Sequence, residues 1–221
     1  MKIHRCEQRS DEWKTRRLGL VTASNAYKIV TPQGKPSAQS RKYLYGLVYE
    51  RLVGESAERD VSYYKAVQDG IEREPQARQE FQILTNCVVE QIGMVTDDSG
   101  KIGCSPDGLI VGRNEALEIK CPQGDTQLGY LLDGLEDNYR PQVQTQLLVG
   151  QWDAVHFWSY SPHTPVYHLV TRPDPQYQRL LAGFLADFVA ELDHETERAR
   201  RLGPFFRVEA LWKEEEVAIE A

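Results

Sequence analysis

The sequence predicts a mixed α/β (α+β) fold in which a central sheet is flanked by helices. Three observations carry this. Residues 88–121 hold four short β-rich runs separated by turn compositions. Segments with helical spacing of apolar residues lie on both sides of them. The chain of 221 residues with 41% hydrophobic residues is long enough for one core, burying roughly 70% of the surface that the unfolded chain exposes. A single domain over 1–221 is therefore expected.

Over residues 11–29, Trp13, Leu18, Leu20, Val21, Ala23, Ala26 and Ile29 fit two short helical pieces around a turn at Gly19, with Thr22 or Ser24 as a cap. The Pro and Gly content of residues 31–37 marks a loop. Ser40 opens a helix whose Tyr43, Leu44, Leu47, Val48 and Leu52 share a stripe, and Gly54 supplies its stop. Residues 61–84 read as another helix, with a kink expected at Glu74-Pro75 because proline disfavours helix in the residue before it.

Residues 88–95, 101–104, 109–111 and 116–121 then read as a meander, turning at Asp97–Gly100, Pro106–Gly108 and Gly112–Asn114. A helix at 141–149, a strand pair at 154–160 and 166–170, and a long helix at 175–201 complete the chain. Leu180, Leu181, Phe184, Leu185, Phe188, Val189 and Leu192 form the stripe of that last helix. No internal repeat is present.

Composition narrows the function classes. A mean hydropathy of -0.53, no apolar run near the ~20 residues of a membrane span, and no apolar stretch after Met1-Lys2-Ile3-His4-Arg5 point to a soluble protein of the cytosol. Cys6, Cys87, Cys104 and Cys121 form no C-x-x-C pair, so no zinc ribbon or iron–sulfur spacing is present and reduced thiols are expected. The five histidines show no ligand spacing. The net charge of -7 opposes a polyanionic partner on average, but residues 1–50 carry ten basic side chains against four acidic ones, a local balance of +6. That asymmetry allows an anionic ligand near the N-terminal segment.

The chemistry lies in Ser105-Pro106-Asp107-Gly108 and Leu117-Glu118-Ile119-Lys120-Cys121-Pro122. The two-residue period of a strand puts Glu118 and Lys120 on one face, opposite Leu117, Ile119 and Cys121. A hairpin turning at Gly112–Asn114 brings Asp107 alongside Glu118. Two carboxylates sharing a site repel unless a cation lies between them. Hard oxygen ligands without nearby His or Cys suit Mg²⁺ or Mn²⁺, and an adjacent ammonium can act on a nucleophile or a developing negative charge. The reaction this implies is metal-dependent phosphodiester hydrolysis. Taken alone, the same residues also fit a cross-strand ion pair and a turn aspartate.

These two segments resemble the core motif of the phage lambda exonuclease family, a branch of the restriction-endonuclease-like nucleases with the PD-(D/E)XK signature. Trp13, Arg17-Leu18-Gly19 and Thr22-Ala23-Ser24 resemble that family's W-x-x-x-R-x-G-x-x-x-A-S motif. Gly70 to Glu74 is similar to its helical G-x-x-x-E, and Gln142-Val143-Gln144 to its Q-x-Q helix. The resemblance implies a restriction-endonuclease-like mixed sheet. It implies that Asp107, Glu118 and the carbonyl of Ile119 hold one Mg²⁺, that Glu74 with Asp107 holds a second, and that Lys120 acts on the attacking water. It further implies a pocket for a 5′-phosphate built from Arg17, Ser24, Ser105 and Gln144, which are donors of the kind a phosphate needs.

The resulting expectation is a Mg²⁺-dependent exonuclease, with Mn²⁺ as a substitute, that degrades one strand of linear duplex DNA 5′ to 3′ from phosphorylated ends. A homotrimer that threads DNA and a single-strand annealing protein as recombination partner are implied by the resemblance alone. An endonuclease of the same superfamily would use the same acids and lysine without an end pocket. A DNA-end-binding module would bind without divalent-dependent hydrolysis. The loop at 31–41 offers Lys35 and Arg41 as candidates for a duplex-splitting wedge, and the tail 212–221, with Glu214-Glu215-Glu216, reads as an acidic end or a partner contact.

Overall fold

Turn chemistry divides the β-rich segment more finely than its composition indicates. In the computed structural model, which describes residues 1–58, 63–135 and 137–202, the run at 88–95 is two strands, β3 (Val89–Glu90) and β4 (Met94–Thr96). They enter different sheets. A smaller sheet has the order β1–β4–β5–β2, with β1 at Lys2–His4, β2 at Val21–Thr22 and β5 at Ile102–Cys104. The larger has the order β3–β6–β7–β8–β9, with β6 at Gly108–Ile110, β7 at Glu115–Lys120, β8 at Ala154–Ser159 and β9 at Tyr167–Thr171. The break falls at Gly93, where a side chain would strike Cys6. The expected single meander is thus split between two sheets.

The helices follow their sequence signals. Ser10 caps α1 (Asp11–Arg17) by accepting from the Trp13 amide, and Gly19 turns the chain with φ +66°. The second piece expected there is a 3-10 helix over Ala23–Lys28, and Thr22 precedes it without a side-chain cap bond. Helix α2 (Ser40–Val53) ends on left-handed Gly54 as expected. Helix α3 (Lys65–Thr85) runs through Pro75; residues 61 and 62 of the expected helix lie outside the described residues, as does the acidic tail. Helix α5 (Arg140–Gly150) and α6 (Pro175–Arg200) fall where the periodicity puts them.

Helix α4 (Gly124–Asp133) was not visible in the sequence. Its one fully buried side chain is Gln127, whose amide donates to the carbonyls of Ser159 and Pro165. Leu128 and Leu132 of the same helix are exposed, so what docks α4 is this amide rather than its apolar residues.

The larger sheet is covered on both faces, and this positions the site. β7 pairs antiparallel with β6 and parallel with β8. Its alternation sends Leu117 and Ile119 toward Ala77 and Phe81 of α3, in a cluster completed by Trp158. Ala116 and Phe157 pack on the opposite side with Val143 and Leu147 of α5. Phe81 meets Trp158 edge-on at 5.2 Å between centroids. On the smaller-sheet side, α2 and α6 pack Tyr43, Leu44 and Leu47 against Leu181, Leu185 and Phe188. Among the described residues no helix is long and apolar enough to cross a membrane.

Candidate active site

β7 is buried on both faces, so its polar residues sit inside the fold rather than on a solvated face. Glu118 is only 3% exposed. The pairing Gly108 with Leu117, extended by one residue, sets Asp107 opposite Glu118, as the hairpin at Gly112 requires. Asp107 closes the end of the ladder twice: its amide donates to the Leu117 carbonyl (2.8 Å), and its Oδ2 accepts from the Ile119 amide (2.6 Å). A residue's N–H and C=O project to the same side of a strand, so the Ile119 carbonyl leaves β7 on the Asp107 side.

Glu118 is held by three donors. Lys120 Nζ and Gln142 Nε2 donate to Oε1, and Gln146 Nε2 donates to Oε2, each at 2.6 Å. Gln142 and Gln146 are four residues apart on α5 and share one helical face. The intervening Gln144 points the other way, donating to the Arg172 carbonyl (2.9 Å) and accepting from the Asp174 amide (3.0 Å). This corrects the expected phosphate pocket: residues i and i+2 of a helix lie ~200° apart, so a Q-x-Q pair cannot serve one site. Gln144 braces the β9–α6 connection. The i, i+4 spacing of Gln142 and Gln146 was the sequence signal for the pair that faces the site.

Glu74, from α3, shares Arg78 with Asp107. Its Oε1 accepts from Arg78 (3.0 Å) and its Oε2 from Arg9 (2.5 Å), while Arg78 Nε also donates to the Asp107 carbonyl (3.2 Å). Burial pushes the Asp107 carboxyl well above the ordinary range, and the charges of Glu118 and Glu74 push it further; Lys120 and the Ile119 amide oppose them. Burial works against the Lys120 ammonium too, yet Glu118 and Asp107 outweigh it and hold its pKa above the usual lysine value.

A carboxyl whose folded-state pKa is raised binds more protons folded than unfolded, so its contribution to stability is present at low pH and lost as pH rises through the folded value. In EDTA the thermal midpoint should therefore fall between the ordinary carboxylate range and the raised Asp107 value, and Asp107→Asn should flatten that slope. A wild-type profile identical to that of the variant would contradict it.

The second group of residues hangs on α1. Trp13 Nε1 donates to Ser105 Oγ (3.0 Å) and to the Gly93 carbonyl (3.1 Å). The Arg17 guanidinium lies 4.3 Å over the Trp13 ring, where the ring face attracts a cation, and Nη1 donates to Ser105 Oγ (3.3 Å). Burial lowers the Arg17 pKa, an arrangement that an anion would relieve. Ser24, exposed at the start of the 3-10 helix, has its Oγ 3.3 Å from Thr22 Oγ1.

A cavity of about 310 Å³ joins the two groups; Arg17, Ser24, Ser105, Glu118, Lys120 and Gln146 all line it. Arg17 and Trp13 also wall a neighbouring cavity of about 520 Å³ toward α2. Of the expected site residues, the structure brings together Arg17, Ser24, Ser105, Glu118 and Lys120, with Asp107 and Glu74 behind them, and excludes Gln144. Arg9, Gln142 and Gln146 were missed.

Asp107 lies opposite Glu118 on the ladder and feels the charge of Glu74, and these carboxylates, two of them paired with cations of the chain itself, are hard-oxygen donors of the kind a divalent cation takes. Gln146 Oε1 is buried and without a hydrogen-bond partner among the described residues, an acceptor left for a donor not supplied by the chain. Among the described residues no group of three His, Cys, Asp or Glu side chains is placed to hold a metal ion as it stands. Glu118 and Glu74 would have to exchange Lys120 and Arg9 for a cation.

Residues 12–153 match the family model described as YqaJ-like viral recombinase domain. No curated protein matches the sequence. Among solved structures, the chain is similar to an alkaline exonuclease (LHK-Exo) from Laribacter hongkongensis, with 27% identity and a TM-score of 0.72 over 88% of this chain and 100% of that one. The same protein in complex with dAMP matches at 28% identity and the same TM-score, with the same coverage. A phage-related exonuclease from Haemophilus somnus 129PT shares the fold at 14% identity and a TM-score of 0.65, over 81% of this chain and 96% of that one. The stretch 12–153 exceeds half the chain and takes in both site groups, from Trp13 to Gln146, so the protein belongs to the YqaJ-like viral recombinase family, the lambda-exonuclease-like group that its motifs resemble.

Proposed function

We propose that this protein is a Mg²⁺-dependent exonuclease that degrades one strand of linear duplex DNA 5′ to 3′ from phosphorylated ends, leaving 3′ tails for strand annealing. The observation that carries the reading is the shared cavity, in which an anion-seeking group (Arg17, Ser24, Ser105) stands beside a hydrolytic one (Glu118, Lys120). An endonuclease needs only the second. The name alkaline exonuclease of the 27%-identical LHK-Exo supports it, as does that protein's complex with dAMP, the class of product that removal of single nucleotides yields. A ring of three copies and a single-strand annealing protein as partner, which the motif resemblance implies, belong to this proposal.

In this reading Asp107, Glu118 and the Ile119 carbonyl hold one cation and Glu74 with Asp107 a second, with Mn²⁺ able to replace Mg²⁺. Bound there, the cation supplies an acidified water and charge neutralisation at the phosphodiester. The remaining work falls to the chain. Gln142 and Gln146 fix the Glu118 carboxylate from α5, so its oxygens keep one orientation. Lys120 Nζ, beside Glu118, orients the attacking water and donates to the charge that builds on the phosphate. Trp13 stacks the Arg17 guanidinium in place, and Ser105 ties it to the short β5–β6 link that also carries Asp107, so the terminal phosphate and the scissile bond are measured from one frame.

Because Asp107 must ionise to serve, stabilisation by Mg²⁺ should grow with pH over the interval in which the metal-free protein weakens.

The test is digestion with Mg²⁺ of three substrates: linear duplex with a 5′-phosphate, the same duplex with a 5′-hydroxyl, and a covalently closed circle. Loss of the phosphorylated duplex with the circle intact is expected. A cut circle would establish an endonuclease, and binding without any cutting a binding module. Arg17→Ala should reduce the preference for phosphorylated over hydroxyl ends by roughly tenfold or more, the worth of a hydrogen bond to a charged group. An unchanged ratio would remove the end pocket from the mechanism.

A further inference from the structure

Arg9 has a backbone conformation that its side chain does not favour. Its φ is +69°, the left-handed region where a side chain is strained and glycine is not. Both neighbours pin it there. Gln8 Nε2 donates to the carbonyls of Ile92 (3.0 Å) and Pro106 (2.8 Å), and Ser10 caps α1 while its hydroxyl donates to the Glu7 carbonyl (2.6 Å). A glycine would make this turn without strain, so what the position gains is the guanidinium. That guanidinium lines the same cavity as Arg17 and Lys120 and sits on the outer oxygen of Glu74.

The two arginines on Glu74 are not equivalent. Arg78 is 10% exposed at its side chain and is tied also to the Asp107 carbonyl, so it belongs to the frame. Arg9 is 48% exposed, its one side-chain partner is Glu74 among the described residues, and water is available to it on release. Of the two, Arg9 is the one that can leave Glu74 without breaking another contact of the site.

We propose that Arg9 is a displaceable counter-ion of the site: it neutralises Glu74 until a divalent cation takes its place, and so sets the concentration at which the second cation binds. The inference rests on the two-cation reading given above. It makes the metal-free site stable in a protein that crowds three carboxylates together, at the cost of weaker uptake of the second ion.

The test is a Mn²⁺ titration without DNA, reading free Mn²⁺ by electron paramagnetic resonance, on the wild type, Arg9→Gly, Arg9→Lys and Glu74→Gln. Arg9→Gly relieves the backbone strain, so loss of fold is not expected, and circular dichroism checks it. The weaker of two Mn²⁺ sites should tighten roughly two- to fivefold in Arg9→Gly, the scale of a half-exposed ion pair. Arg9→Lys should return it toward wild type, and Glu74→Gln should abolish it. An isotherm unchanged in Arg9→Gly, with the weak site still lost in Glu74→Gln, would overturn the role of Arg9 and leave the two-cation reading standing. An isotherm unchanged in Glu74→Gln as well would overturn both.

Discussion

Lys120→Ala is expected to lower the rate of DNA hydrolysis by roughly 10²- to 10⁴-fold, the span attributed to a positioned proton-transfer group, while binding to DNA ends persists. The structure explains why the two effects separate. Lys120 Nζ contacts Glu118 at 2.6 Å and lies 5.6 Å from the Tyr139 ring centroid, whereas the anion-seeking group is built on Ser105, Trp13 and Arg17. Without the lysine, Glu118 still accepts from Gln142 and Gln146, so the buried carboxylate is not left without donors. Gel-resolved digestion of an end-labelled duplex measures the rate, and fluorescence anisotropy with the metal chelated measures binding. A variant that digests DNA at the wild-type rate would refute the role assigned to this ammonium.

Glu118→Gln is expected to weaken stabilisation by Mg²⁺ and to lower the stability of the metal-free protein by up to about 3 kcal/mol, the low end for breaking a buried ion pair. Lys120, with 30% of its side chain exposed, keeps some water, which limits the loss. The substituted amide has one oxygen for the three donors that converge on Glu118, and its own NH₂ group faces at least one of them. Thermal unfolding with EDTA and with excess Mg²⁺ checks both parts. Equal Mg²⁺-induced shifts in variant and wild type would remove Glu118 from the ligand set.

Most of the architecture was readable because it is local. The apolar stripes of α2 and α6, the stop at Gly54 and the turn at Gly112 are set by residues a few positions apart, and they appear in the structure where the spacing put them, except that Leu52 and Leu180 at the edges of the two stripes are exposed. The register of Asp107 against Glu118 was readable too, because a short hairpin leaves few alternatives. What was hidden depends on distant partners. The split of residues 88–95 between two sheets reflects contacts of β4 with β1 and of β3 with β6. Helix α4 is held by Gln127, and no pattern of apolar residues announces one buried amide. In the site, the motif likeness carried Arg17, Ser24 and Ser105 to one cavity but misassigned Gln144, where the angular pitch of a helix outranks adjacency in a motif. Arg9 had no sequence signal, because neither its positive φ nor its approach to Glu74 is local information.

The bonds that assemble the site also determine when it can exist during synthesis. Trp13 reaches Ser105 across 92 positions, Arg17 reaches the same hydroxyl across 88, and Gln146 closes on Glu118 across 28. Closing such loops costs entropy before any contact repays it, so structures of this kind form late. A ribosome that has delivered everything up to Lys120 has made every carboxylate and the lysine, yet neither α5 nor β8 exists to brace β7. The donors that fix Glu118 therefore arrive only when α5 has docked, so the site takes its final form with the completion of the sheet.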